Sequence, residues 1–246
     1  MAPADLTSVV LAGGFGTRIK HLLADIPKPM APVGDRPFLE WVLRFLAVQG
    51  VRDSILSTGY RAEVIEKYFA PQPIPGLHVA SRQETEPRGT AGGFLYAIAG
   101  RQPKPAAWLV TNGDSLVLAN LTAFCASLDQ NNWDAAILGV HMNDAARYGT
   151  VKVDAQNRLV AFHEKRPGAG LINAGVYLFR AGVVDRFPNK AVLSFETDVF
   201  PQLLAQGVRI GVHAAAAPFI DIGTPDSLES ANAFIKQHRS AFGSSA

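Results

Sequence analysis

The chain has 246 residues, 48% of them apolar and 18% charged, with a formal net charge of +2. Those proportions suffice for a sizeable core in one globular domain, with no more than a modest appendage. Near-balanced charge, scattered along the chain, gives no grip on nucleic acid or an anionic membrane, and neither is expected as a partner. The single cysteine, Cys125, excludes an internal disulfide framework and a multi-cysteine zinc site. It falls in Leu121–Leu128, a helical stretch, where the role of buried filler is expected. Residues 1–8 lack the basic segment of a secretory signal, and the apolar run Val9–Ala12 is too short for one. No stretch of about eighteen apolar residues could span a bilayer. A reduced, cytoplasmic setting is the expectation.

Short apolar runs alternate with segments of helical period. Ser8–Ala12 is wholly apolar after its serine and β-branched, as for a strand buried on both faces. Phe38–Gln49 has apolar residues at 38, 41, 42, 45 and 46, with Glu40 and Arg44 spaced i,i+4 on the other side, and predicts an amphipathic helix ended by Gly50. A strand at Ser54–Thr58, a helix over Ala62–Phe69, a strand at Leu77–Ser81, a helix over Thr90–Ala99 and a strand at Ala107–Thr111 follow. This βαβ rhythm implies a mostly parallel sheet. After about residue 133, Ala135–His141, Gly149–Val153, Leu159–Glu164 and Ile172–Phe179 are predicted strands in quick succession, with a turn at Ala155–Arg158. A helix over Thr197–Gln206, a strand at Val208–His213, a helix near Pro225–Gln237 and a frayed Gly243–Ala246 complete the chain. The expected fold is a doubly wound α/β domain over 1–246, with helices on both faces of the sheet and a small antiparallel insertion. Its halves are about 1–132 and 133–240.

Leu11-Ala12-Gly13-Gly14-Phe15-Gly16-Thr17-Arg18 follows the first strand, where an open α/β sheet places its ligand. Glycines let backbone N–H groups approach a phosphate. The dinucleotide pattern G-x-G-x-x-G fails at Ile19, and no Gly-Lys-Ser/Thr of a Walker loop occurs. Arg18 and Lys28, the latter stiffened between Pro27 and Pro29, add two cations suited to a triphosphate, although singly each could be an ordinary surface charge. Asp114 and Asp221 each end an apolar run. Magnesium would satisfy both, since it takes one or two carboxylates plus substrate phosphates; a helix cap at Asp114 and a turn at Asp221 are the alternatives. Gln83 offers an amide to a base edge and Gly89 permits close approach, unless the segment is a plain β–α connection.

LAGGFGTRIKHLLADIPKPM resembles the N-terminal motif of sugar-1-phosphate nucleotidyltransferases, L-A-G-G-x-G-T-R-L followed by P-K-P, with Ile19 for leucine and His21 for proline. The likeness continues along nearly the whole chain. It implies a nucleotide-diphospho-sugar transferase fold, Mg2+ held by Asp114 and Asp221, and Arg18 on the triphosphate with Lys28 bridging nucleotide and sugar phosphates. Leu11, Ala12, Gly13, Gly14, Gly16, Thr17, Gln83, Gly89, Thr90 and Asn112 would complete the nucleotide site. Gly113, Glu164, Lys165, Asn173, Gly175 and Glu196 would form the sugar-phosphate site, with Arg166 an extra residue in the family's E-K-P element. The E-x-x-P-x-G-T-A-G form at Glu84–Gly92 leans toward guanylyl transfer. The order of PKPMAPV, RPFLEW, STGYRAEVIEKYF and FETDVFP is similar to D-glycero-D-manno-heptose 1-phosphate guanylyltransferases, with mannose 1-phosphate guanylyltransferases the near alternative. The partners implied are GTP and a sugar 1-phosphate, with pyrophosphate as product and a homo-oligomer open. A non-catalytic nucleotide-sensing subunit would have lost a metal aspartate or Lys28, and all are present; a nicotinamide dehydrogenase is disfavoured by Ile19.

Overall fold

A computed structural model describes residues 1–23, 25–163 and 167–243. Its first half runs β1 (Thr7–Ala12), the short pair β2 (Pro32–Val33) and β3 (Arg36–Pro37), α1 (Phe38–Val48), β4 (Asp53–Thr58), α2 (Ala62–Phe69), β5 (His78–Gln83), α3 (Gly89–Ile98) and β6 (Ala107–Asn112). Then come β7 (Ser115–Val117), α4 (Leu121–Gln130), β8 (Ala135–Met142), β9 (Thr150–Val153), β10 (Leu159–His163), β11 (Gly170–Arg180) and α5 (Ala181–Val184). A π-turn at Phe195–Val199 feeds α6 (Phe200–Ala205), followed by β12 (Ile210–Ala215), β13 (Phe219–Asp221) and α7 (Pro225–Gln237).

Nine strands form one sheet in the order β10-β9-β11-β6-β1-β4-β5, with β8 beside β11 and β12 beside β8. The core quartet β6-β1-β4-β5 is parallel, as the βαβ rhythm predicts. Strand β11 then runs antiparallel between β6 and β8, so the antiparallel strands extend the central sheet and do not form a separate layer. Period-2 alternation puts Val10 and Ala12 on one face and Val9 and Leu11 on the other. Helices α1, α2, α4 and α7 cover the first face; α3, α5 and α6 cover the second, with the π-turn. The result is a doubly wound three-layer domain.

Helix α1 departs from the amphipathic expectation. Glu40 has no exposure and Arg44 is 7% exposed, because α2 and the C-terminal segment close over the supposed polar side. Burying that carboxylate is tolerable because Arg36 Nη1 donates at 3.0 Å, Arg44 Nε at 2.6 Å and Tyr68 Oη at 2.5 Å. Burial, followed by the hydrogen bond to Glu40, pushes the Tyr68 hydroxyl up to about 12. The predicted helix over Thr197–Gln206 is also modified: it opens as the π-turn, whose Ser194 accepts the Thr197 N–H, and turns α-helical only at Phe200. Helix α7 begins with Thr224 accepting from the Ser227 amide and Pro225 in its first turn, the N-terminal chemistry expected of a stable start.

Cys125 is fully buried on α4, as expected, and desolvation pushes its thiol up to about 12. The thiolate is the reactive form, so native protein should resist a thiol reagent that modifies unfolded protein fully. Rapid stoichiometric labelling without denaturant would contradict this packing. Among the described residues, no helix is long and apolar enough to cross a membrane.

Candidate active site

The turn after β1 lies at the carboxyl ends of the parallel strands and forms the floor of a cavity of ≈ 490 Å³. Leu11, Ala12, Gly13, Gly14, Gly16, Thr17 and Arg18 line it, together with Gly89, Thr90, Asn112 and Asp114. Gly16 has φ +57°, and a Cβ there would stand 2.7 Å from Lys28 Cβ. The glycine therefore lets the Pro-Lys-Pro segment lie directly on the glycine-rich turn. Lys28 begins a 3-10 turn whose Pro29 and Met30 are buried, so the backbone under its side chain is anchored. Its ammonium meets Asp114 Oδ2 at 2.5 Å, with Lys28 14% and Asp114 38% exposed. Arg18 lines the cavity and has no hydrogen bond or ion pair among the described residues.

A second cavity of ≈ 470 Å³ opens from the first. Arg18, Lys28, Asn112, Asp114 and Gly223 border both, and the second adds Arg147, Tyr148, Asn173, Gly175 and Asp221. What brings the two aspartates together is a ribbon too short to leave a periodic signal: β13 pairs antiparallel with β7, setting Asp221 opposite Ser115. The Ile222 amide closes the pair by donating to the Asp114 carbonyl at 3.0 Å. A Cβ at Gly223 would stand 2.6 Å from Asp221 Oδ1 and 3.6 Å from Lys28 Nζ, so Lys28 and Asp221 flank one point. Asp221 Oδ1 accepts the Gly223 amide at 2.7 Å, and Oδ2 accepts the Tyr148 hydroxyl. Burial, then the hydrogen bond to Asp221, holds Tyr148 far above the ordinary phenol range, so it is a permanent donor near neutrality.

Gly175 sits in the bulge of β11 with φ +72°, and a Cβ there would fall 2.3 Å from Asn112 Nδ2. That close approach joins the two halves at the cavity rim. Asn173 accepts the Gly175 amide at 3.0 Å and donates to Tyr177 Oη at 2.8 Å. Tyr177 in turn donates to Glu196 at 3.0 Å. Glu196 thus supports Asn173 through a buried tyrosine and does not itself line the second cavity. Gly113 lines neither cavity; its amide donates to Leu11 O at 2.9 Å and seats the Asp114 turn on β1. Glu164 and Lys165 lie outside the described residues.

Gln83 is exposed at the end of β5 and does not line the first cavity, whereas Glu84 does. Successive residues of an extended chain face opposite ways, so a one-residue choice decides which side chain enters. Glu84 accepts from Ser57 Oγ at 3.2 Å and from the Arg88 amide at 3.1 Å. Arg147 and Tyr148 also line the second cavity, from a connection between β8 and β9 that carries no periodic signal in the sequence.

Fold and cavities define an α/β protein with two adjoining cavities whose shared border carries Arg18, Lys28, Asn112 and Asp114. The family model described as Nucleotidyl transferase matches residues 7–238, and the chain belongs to that family. It is 38% identical over 229 residues to a mannose-1-phosphate guanylyltransferase of Mycobacterium tuberculosis, covering 92% of this chain but only 63% of that one. It is 36% identical over 225 residues to a D-glycero-alpha-D-manno-heptose 1-phosphate guanylyltransferase of Campylobacter jejuni, covering 90% of this chain and 96% of that one. The crystal structure of HddC from Yersinia pseudotuberculosis complexed with GMP-PN matches with TM-score 0.83 and 32% identity, over 93% of this chain and 99% of that one.

Proposed function

We propose that the chain transfers GMP from GTP to a sugar 1-phosphate, D-glycero-α-D-manno-heptose 1-phosphate first, giving a GDP-sugar for surface polysaccharide and pyrophosphate. Mannose 1-phosphate is the second candidate, on the strength of the mycobacterial relative. The observation that carries the reading is the shared border of the two cavities, where Arg18, Lys28, Asn112 and Asp114 face both. A nucleotide in the first cavity and a sugar phosphate in the second would meet at that border, so positioning and electrostatics supply most of the rate.

In the proposed reaction a sugar-phosphate oxygen attacks the α-phosphorus in line and pyrophosphate leaves, with no covalent enzyme intermediate. The glycine turn cradles the triphosphate, Arg18 neutralises charge as it moves toward the leaving group, and Lys28 bridges the two phosphates. Asn173 and Gly175 hold the sugar. The donor set is compatible with a magnesium ion, which takes one or two carboxylates together with substrate phosphates and waters: Asp114 and Asp221 line the same cavity. Asp114 and Asp221 would hold Mg2+, which would polarise the α-phosphate and offset its charge.

Glu84 supports guanine as the base. A carboxylate accepts at about four lone-pair positions, and two donors already use part of that capacity. The remainder suits the donor edge of guanine, which presents an N2 amino group. Glu84→Gln is expected to raise the KM for GTP by roughly 10- to 100-fold, the scale of one charged hydrogen bond. The KM for sugar phosphate should not move. An unchanged GTP KM removes Glu84 from base reading.

Pyrophosphate release measured for each nucleoside triphosphate with each sugar 1-phosphate tests the function. GTP with the heptose phosphate should give the highest kcat/KM; a thymidine or uridine nucleotide in first place would reject guanylyl transfer.

A further inference from the structure

Arg147 is a cation at the junction to which the reaction above gives no task. Its Nη2 donates to both Asp221 oxygens, at 2.9 and 3.0 Å. Arg147 is 46% exposed and Asp221 15%. Because Asp221 also holds the Gly223 amide and the Tyr148 hydroxyl, a divalent ion taking this carboxylate must displace one of three donors. The amide is fixed backbone. Tyr148 is pinned edge-on against Phe219, with ring centroids 5.4 Å apart. Arg147 combines a long flexible stem with an open path to water; its guanidinium also lies over the Tyr148 ring at 5.4 Å, and both contacts, on a half-exposed side chain, are weak beside a metal–carboxylate bond.

Displacement would not send the guanidinium far. Arg147 remains in the wall of the second cavity, beside Asn173 and Gly175. A planar fork of N–H donors matches phosphate oxygens two at a time, which a lysine ammonium does not. Charge points the same way: among the described residues, Arg18, Lys28 and Arg147 face Asp114 and Asp221 there, and each added positive charge favours an incoming dianion.

We propose that Arg147 is shared between two anions: it pairs with Asp221 until a divalent ion takes that carboxylate, and then clamps the phosphate of the sugar 1-phosphate. The exchange rests on the metal and sugar-phosphate assignments above. It makes the second substrate site complete only after the metal is in place, which would order binding with no moving domain.

The test compares Arg147→Gln, Arg147→Lys and Asp221→Asn with the unaltered protein. Free Mn2+ is followed by electron paramagnetic resonance, and steady-state rates are measured with GTP and heptose 1-phosphate. Arg147→Gln is expected to bind Mn2+ about two- to five-fold more tightly, the scale of giving up one exposed ion pair. It should also raise the sugar-phosphate KM by at least about tenfold, as loss of a charged hydrogen bond does, and leave the GTP KM within about twofold. Arg147→Lys should recover part of the sugar-phosphate KM. If Asp221→Asn loses Mn2+ while Arg147→Gln binds it no better than the unaltered protein, the exchange is overturned and the metal site stands. If Asp221→Asn binds Mn2+ undiminished, both fall. A lowered melting temperature in Arg147→Gln with neither Mn2+ affinity nor KM altered would make Arg147 a structural strut and overturn the proposal.

Discussion

Lys28→Ala is expected to leave the fold intact and lower kcat by at least about 100-fold, the scale of losing one preorganised electrostatic contact. The fold should survive because Pro29 and Met30, not Lys28, are the buried anchors of that segment. The rate should fall because Lys28 is the lysine, among the described residues, that borders both cavities, and the planar Arg18 guanidinium is not equivalent to its compact ammonium. Lys28 also pairs with Asp114 at 2.5 Å, so its removal leaves the site one cation short where the phosphates enter. Circular dichroism together with pyrophosphate release checks both halves of the prediction. Near-normal turnover would remove Lys28 from the chemistry.

Asp221→Asn should be equally damaging, with kcat down at least about 100-fold and the Mg2+ concentration for half-maximal rate raised. The amide oxygen can still accept from the Gly223 N–H, so the local turn persists and the melting temperature should move little. What is lost is one of the two carboxylates that line the second cavity among the described residues, and with it the ability to hold a divalent ion beside anionic substrates. Titrating Mg2+ against initial rate separates this from simple misfolding. An unchanged Mg2+ dependence would show that Asp221 has another task.

The parallel quartet was legible because β1, β4 and β6 have short, buried, largely apolar stretches and segments of helical period separate the strands. The two lone aspartates were legible as acidic groups ending apolar stretches. Their meeting was not, since β7 and β13 have three residues each and pair across residues 118–218, which hold most of the second half of the fold; so short a segment carries no periodicity. The polar side of α1 was misread for a related reason. Spacing placed Glu40 and Arg44 opposite the apolar stripe, but it cannot tell solvent from a second packed layer carrying Tyr68 and Arg36. Gln83 and Glu84 are neighbours at the end of β5, where a shift of one residue decides which side chain faces the cavity; spacing alone does not show that Glu84 is the one that lines it. Arg147 lay hidden because a lone arginine in a connection looks like any surface cation until the chain folds it onto Asp221.

The account turns on whether Asp114 and Asp221 share one ion. Crystals grown with Mn2+, a non-hydrolysable GTP analogue and a sugar 1-phosphate, with data collected at the manganese edge, would answer it directly. Anomalous density should appear between the two carboxylates and against the α-phosphate, with Arg147 turned away from Asp221. Density bound to neither carboxylate, in a site holding both substrates, would contradict the mechanism at its base.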